Sequence, residues 1–214
     1  MLPRLAHHPA LVDALRTPSA EAPWRLLLSG CMAGWPCGVD GTSYDMASAV
    51  SWLAPPPPTV VVLPFCPEDV GLGTPRTMPD IHGGDGLAVL DGQARVLDEH
   101  GADLTEGMLR GARAMLDFAL AQRVELALLT DVSAACGSQV ISLGCRFDTP
   151  RRHQRGVGVA AGMLLRAGIP VVSQRDFRTV ARLRARAVPG YAPEEGLLDH
   201  HEHPWVLANL PLDR

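Results

Sequence analysis

The chain has 214 residues, 47% of them hydrophobic and 20% charged, enough apolar material for one large domain with a substantial core. Its 19 basic and 23 acidic residues leave a net charge of −4, so there is no electrostatic case for nucleic-acid binding, and two tyrosines and four phenylalanines leave little for a base-stacking platform. No apolar run is long enough to span a bilayer, and the N-terminal MLPRLAHHPALVDALRTPSAEAPW lacks the long apolar centre of a secretory signal, so a cytoplasmic location is the default.

Residues Leu2–Pro18 can form a short helix, with Leu5, Leu11 and Leu15 at near-helical spacing, and the His7-His8 pair reads as surface. A short apolar run, Leu26-Leu27-Leu28, then stops at Ser29-Gly30 and delivers Cys31. Cys37 follows within the glycine-rich loop Met32–Asp45. Met46–Leu53 reads as helical, broken by the stiff Pro55–Pro58 segment. Thr59–Cys66 is a second, β-branched run, ending in Cys66-Pro67-Glu68. The stretch Gly71–Gly86 holds too many Gly and Pro for a regular element and contains Arg76, a candidate for gripping a polar substrate or anion. LAVLDGQARVL, around Asp91-Gly92, predicts a small β-hairpin.

Asp103 or Thr105 can cap the clearest helix, which runs to Gln122 with Leu109, Ala112, Met115, Leu116 and Ala119 at helical spacing. Val124–Cys136 is the third apolar run that ends in a cysteine. Gly137–Arg155 reads as irregular and holds Cys145 with Arg151, Arg152 and Arg155. A small-residue helix over Gly156–Ala167 and a last strand, Ile169–Ser173, follow. From Gln174 the chain changes character. It has an arginine-rich helical piece, Arg178–Arg186, and then His200, His201 and His203, which read as a solvated cluster.

The alternation predicts an α/β fold with a mostly parallel, Rossmann-like sheet flanked by helices. In such a sheet the carboxyl ends of the strands share one edge, where ligand sites are built. Cys31, Cys66 and Cys136 would then meet in one crevice. A single cysteine at a strand end is more often packing than chemistry; three at equivalent ends favour a site. Five cysteines without a CxxC pair match neither a disulfide framework nor a zinc ribbon. Three thiols on one rim could hold zinc, with Cys37 as fourth ligand, an iron–sulfur cluster with one iron left open, or nothing. Glu68 and Ser133 lie close in sequence to Cys66 and Cys136, and a carboxyl beside such a centre can take up and return a proton. The plainer readings are a helix-start carboxylate and a turn serine.

SGCMAGWPCGVDG, PFCPEDVGLGTPR, the GADLT segment, and SAACGS followed by the Gly-rich helix and IPVVS occur in the order found in the DUF523 family. Over about residues 25–174 the chain resembles that family. The resemblance implies an enzyme that uses a 4Fe-4S cluster, held by three cysteines, to replace the sulfur of a thiouracil-type nucleobase with oxygen. Carried over by motif, the cluster ligands fall on Cys31, Cys66 and Cys136, and the catalytic carboxylate and serine on Glu68 and Ser133. Cys37 also matches a family position. The chemistry so implied is hydrolytic: the thiocarbonyl sulfur binds the open iron, Glu68 helped by Ser133 activates water, and sulfur leaves as hydrosulfide without net redox change. The chain departs from the family at Thr130-Asp131, where members commonly carry a lysine, and its tail extends past the matched core. The expected organisation is a desulfidase domain over residues 1–174 and a C-terminal extension over 175–214. Readings from other classes are a non-catalytic iron–sulfur or sulfide carrier and a zinc-stabilised binding domain.

Overall fold

The short apolar runs become strands, and the segments of helical period between them become the helices that cover the sheet. A computed structural model describes residues 9–210. It begins with helix α1 (Pro9–Asp13), strand β1 (Trp24–Ser29), a 3-10 turn over Gly30–Ala33 and a 3-10 segment over Met46–Leu53. Strand β2 (Val60–Phe65), helix α2 (Pro67–Leu72), strand β3 (Asp80–His82), helix α3 (Gly86–Leu90) and strand β4 (Arg95–Leu97) follow. The long helix α4 (Thr105–Ala121) leads to β5 (Leu126–Leu129), the short strands β6 (Val140–Ser142) and β7 (His153–Arg155), helix α5 (Val159–Arg166) and β8 (Val171–Ser173). The described chain ends with α6 (Phe177–Ala187), a 3-10 turn over His200–Glu202 and α7 (Pro204–Asn209).

Four strands form one parallel sheet in the order β2–β1–β5–β8, as the α/β alternation predicts. Alternate side chains serve opposite faces. Leu27, Ala127 and Leu129 pack with Met108, Met115 and Leu164 of α4 and α5. Leu26, Leu28, Leu126 and Leu128 pack on the other face with Val50, Leu53 and Leu183. Pro64, in register with Leu28, cannot donate to a ladder, and it is tolerated because β2 is an edge strand. The three cysteine-bearing strands β2, β1 and β5 are neighbours and run the same way. Their carboxyl ends therefore converge.

Several local expectations are corrected. Asp91-Gly92 does not turn a hairpin: Asp85 Oδ1 accepts the N–H groups of Leu87 and Ala88 at 3.0 and 3.1 Å, which caps α3 and winds LAVL into a helix. Arg95–Leu97 pairs instead with β3, inside the stretch that its Gly and Pro content marks as irregular. Gly137–Arg155 likewise contains the antiparallel pair β6–β7. Helix α4 has Leu104 at its cap position: the Thr105 hydroxyl is engaged with the Val96 N–H at 2.9 Å, while Asp103 Oδ1, one residue before the cap, accepts the Thr105 N–H at 2.9 Å. Met46–Leu53 is 3-10 with a break at Val50. Of the expected first helix, Leu5 and His7-His8 lie outside the described residues.

Helix α2 carries Glu68 in its first turn and crosses α4 at glycine contacts. A Cβ on Gly71 would stand 2.1 Å from the Gly107 carbonyl oxygen, and one on Gly111 would stand 1.9 Å from that of Pro67. Both obstacles are backbone and cannot rotate aside. On an exposed helix Gly→Ala gains about 1 kcal/mol. Here Gly111→Ala is expected to destabilise by about 1–3 kcal/mol, as overpacking does, because the helices must part. An unfolding midpoint equal to that of the wild type would contradict this account of the crossing.

Candidate functional site

Each of the three strand ends delivers its cysteine through different local chemistry. After β1 the chain turns immediately into the 3-10 turn that holds Cys31. Gly30 lets the neighbouring loops close in: a Cβ there would lie 2.9 Å from the Trp35 ring and 3.2 Å from both Cys37 Sγ and Cys66 Cβ. After β2, Cys66 is the N-cap of α2, and its sulfur accepts the Asp69 N–H at 3.4 Å. After β5, the Ser133 hydroxyl accepts the N–H groups of Ala135 and Cys136 at 3.2 and 3.0 Å, fixing the turn that presents Cys136.

Cys31, Cys37, Cys66, Cys136, Glu68 and Ser133 line a single cavity of about 290 Å³. All five cysteines are free, and Cys145 is not among the cavity residues. The five residues singled out from the sequence are thus brought together. Ser133 donates to Glu68 Oε1 at 3.1 Å, so the serine joins two backbone donors to the carboxylate. Thr130 Oγ1 lies 3.1 Å from Cys31 Sγ, a contact not anticipated from the sequence. Phe65, Met46 and Tyr44 supply apolar wall.

Arg76 has a different role from the one expected. Its Nη2 and Nε donate to Glu68 Oε2 at 2.7 and 3.2 Å, and its Nη1 donates to the carbonyls of Cys37 and Gly73 and to Thr74 Oγ1 at 3.0–3.1 Å. With its side chain 6% exposed, the guanidinium is committed to holding the carboxylate. The histidine group is also corrected: His200 is 8% exposed rather than solvated, and its ring bonds Asp131 at the foot of the Ser133 loop.

The thiols sense one another. Burial pushes the Cys31 thiol up, partly offset by Thr130, while Cys66 and Glu68 add to the rise. Burial pushes Cys136 well up, again reinforced by Cys66 and Glu68. Cys66 moves the opposite way: a hydrogen bond with Cys37, the Asp69 N–H and Arg76 hold it below the usual thiol range against its burial. Cys37, the partner in that bond, is pushed up. The donor set is therefore soft, anionic when ligating, and without enough positive charge of its own, which suits a thiophilic metal centre. Among the described residues no three His, Cys, Asp or Glu side chains gather as donors to one metal ion.

A family model described as 2-thiouracil desulfurase matches residues 26–176. A Bacillus subtilis relative, described as the uncharacterized protein YbbK, is 31% identical over 156 residues, covering 72% of this chain and 99% of the relative. A solved structure described as a 4Fe-4S-dependent thiouracil desulfidase, TudS, is 30% identical with a TM-score of 0.59, covering 76% of this chain and 98% of that one.

Proposed function

The chain belongs to the 2-thiouracil desulfurase (DUF523) family, and on that premise we propose that it removes sulfur from a small thiouracil-type compound by hydrolysis, releasing hydrosulfide. The observation that carries this reading is the meeting of three free thiols with a hydrogen-bonded Glu68–Ser133 pair in one cavity. Cys31, Cys66 and Cys136 would hold a 4Fe-4S cluster. When bound, the cluster supplies a Lewis-acidic iron with an open position for the thiocarbonyl sulfur.

The chain's own residues do the rest. Arg76 fixes Oε2, while Oε1, whose one donor among the described residues is the Ser133 hydroxyl, retains a lone pair for a water proton. Ser133 cannot swing away, because its oxygen is held by the N–H groups of Ala135 and Cys136. Water's oxygen forms the new C–O bond as the C–S bond breaks. One water proton passes through Glu68 and the other leaves with sulfur as hydrosulfide, so the carbon's oxidation state does not change. A carrier or a zinc-stabilised domain would give this aligned carboxylate no work.

The test is an anaerobic assay of the reconstituted protein with 2-thiouracil in ¹⁸O-labelled water. One hydrosulfide per uracil and one labelled oxygen in the uracil are expected, without any electron donor or acceptor. Dependence on a reductant, or release of no hydrosulfide, would overturn the hydrolytic reading.

A further inference from the structure

The loop that presents Ser133 and Cys136 is fixed within itself by the Ser133 hydroxyl and is also held from outside. Val132, a β-branched residue, sits at φ +57°, a left-handed conformation that such side chains rarely adopt and that its surroundings must hold. Asp131 holds it. Its Oδ1 accepts the N–H groups of Val132 and Ser138, both at 3.0 Å, bracketing the loop from either side of Ser133 and Cys136. Its own N–H donates to Gln174 Oε1 at 2.7 Å. The carboxylate is fully buried, so each oxygen must find donors within the protein. Oδ2 finds two: the Ser173 hydroxyl at 3.2 Å and His200 Nδ1 at 2.5 Å.

His200 comes from the segment beyond the residues that the family model matches. It is itself braced. Its N–H donates to Asp176 Oδ1 at 3.1 Å, and Asp176 also takes the Ser173 N–H at 2.9 Å and the side chain of Gln139. The turn is further fixed by reciprocal bonds between Asp199 and Glu202, and Asp199 takes the Thr179 N–H and hydroxyl, each at 2.8 Å. A histidine in the C-terminal extension is thus locked by several elements against a carboxylate whose other oxygen sets the active loop.

We propose that His200 is a positioning residue of the site, holding the Ser133–Cys136 loop in place through Asp131, so that the C-terminal extension is a working part of the active centre. The kinetic half of this inference rests on the desulfidase reading; the structural half does not. The test compares full-length, cluster-reconstituted wild type with His200→Leu, His200→Gln and His200→Asn. Amide hydrogen exchange in the peptide spanning 131–140 and steady-state kinetics on 2-thiouracil are the readouts. His200→Leu is expected to raise exchange in 131–140 at least about tenfold while β1 and α4 keep their rates. Its kcat should fall about 10- to 100-fold with KM within about threefold, as a displaced catalytic group does. His200→Asn, whose amide N–H can stand where Nδ1 does, should recover most of both. His200→Gln, which keeps polarity but shifts the N–H, should show the same split as leucine if the leucine variant does not fold. Unchanged loop exchange, a rise shared equally by β1 and α4, or loop loosening with wild-type kcat would each overturn the proposal. A wild-type protein without turnover would sink the desulfidase reading alone, and the exchange data would still decide whether His200 holds the loop.

Discussion

Glu68→Gln is expected to lower kcat on thiouracil by about 10²- to 10³-fold while iron and sulfide content stay at the wild-type level. The substitution is nearly isosteric and removes the charge that Arg76 faces, and with it the ability to accept a proton. It also creates a defined mismatch. Glu68 accepts from Arg76 on one oxygen and from Ser133 on the other. Glutamine has a single accepting oxygen, which Arg76 will claim, so its NH₂ must face Ser133. The Ser133 oxygen already accepts the Ala135 and Cys136 N–H groups and has no lone pair left for it. That local conflict is worth about 1–3 kcal/mol, which a folded domain survives but which could loosen the Cys136 turn. Cluster content must therefore be measured on the same sample as kcat. Turnover within about fivefold of wild type, with a full cluster, would remove Glu68 from the mechanism. Glu68→Asp, which keeps the charge one methylene further back, should fall between the two.

The strand-end cysteines were legible because two strong local signals coincide at each. A buried apolar run of strand length ends in a Gly, Pro or Ser turn, and parallel topology then converts three separate sequence positions into one edge. Glu68 and Ser133 followed from their distance to those cysteines. What stayed hidden depends on long-range partners. Arg76 reads from the sequence as a candidate for gripping a polar substrate or anion, and only the fold shows it pinned between Glu68 and the Cys37 carbonyl. His200 sits in a run with His201, His203, Asp199 and Glu202 that has the composition of a solvated surface. Its burial arises from Asp131, far away in sequence, and Asp131 was visible only as a departure from the family pattern. The mistaken hairpin at Asp91-Gly92 shows one turn signal losing to another. Asp85 caps a helix there, and Ile81 supplies the strand partner for Val96 that a hairpin would have drawn from next door.

Replacing each proposed ligand in turn should separate the four cysteines of the cavity. Cys31→Ala, Cys66→Ala and Cys136→Ala are each expected to lose the visible iron–sulfur absorption, to fall from about four irons and four sulfides per chain to near zero, and to lose more than about 10³-fold in activity. Their side effects should differ, because each thiol has a different second task. Cys66 caps α2 and bonds Cys37, so its loss should also cost about 1 kcal/mol of stability in the metal-free protein. Cys31 bonds the Thr130 hydroxyl from a partly exposed position and should cost little. Cys136 is buried in the main core, where alanine leaves a small void. Cys37→Ala is expected to keep the cluster. The part of Cys37 that both Cys66 Sγ and Arg76 contact is the backbone carbonyl, which the substitution spares. Cys145→Ala, outside the cavity, should match wild type in iron content and rate. If Cys37→Ala abolishes iron binding while Cys31→Ala retains it, the third thiolate comes from the loop and not from the end of β1. The cluster would then stand closer to Arg76, whose charge is already committed to Glu68, and the division of labour between carboxylate and metal would have to be redrawn.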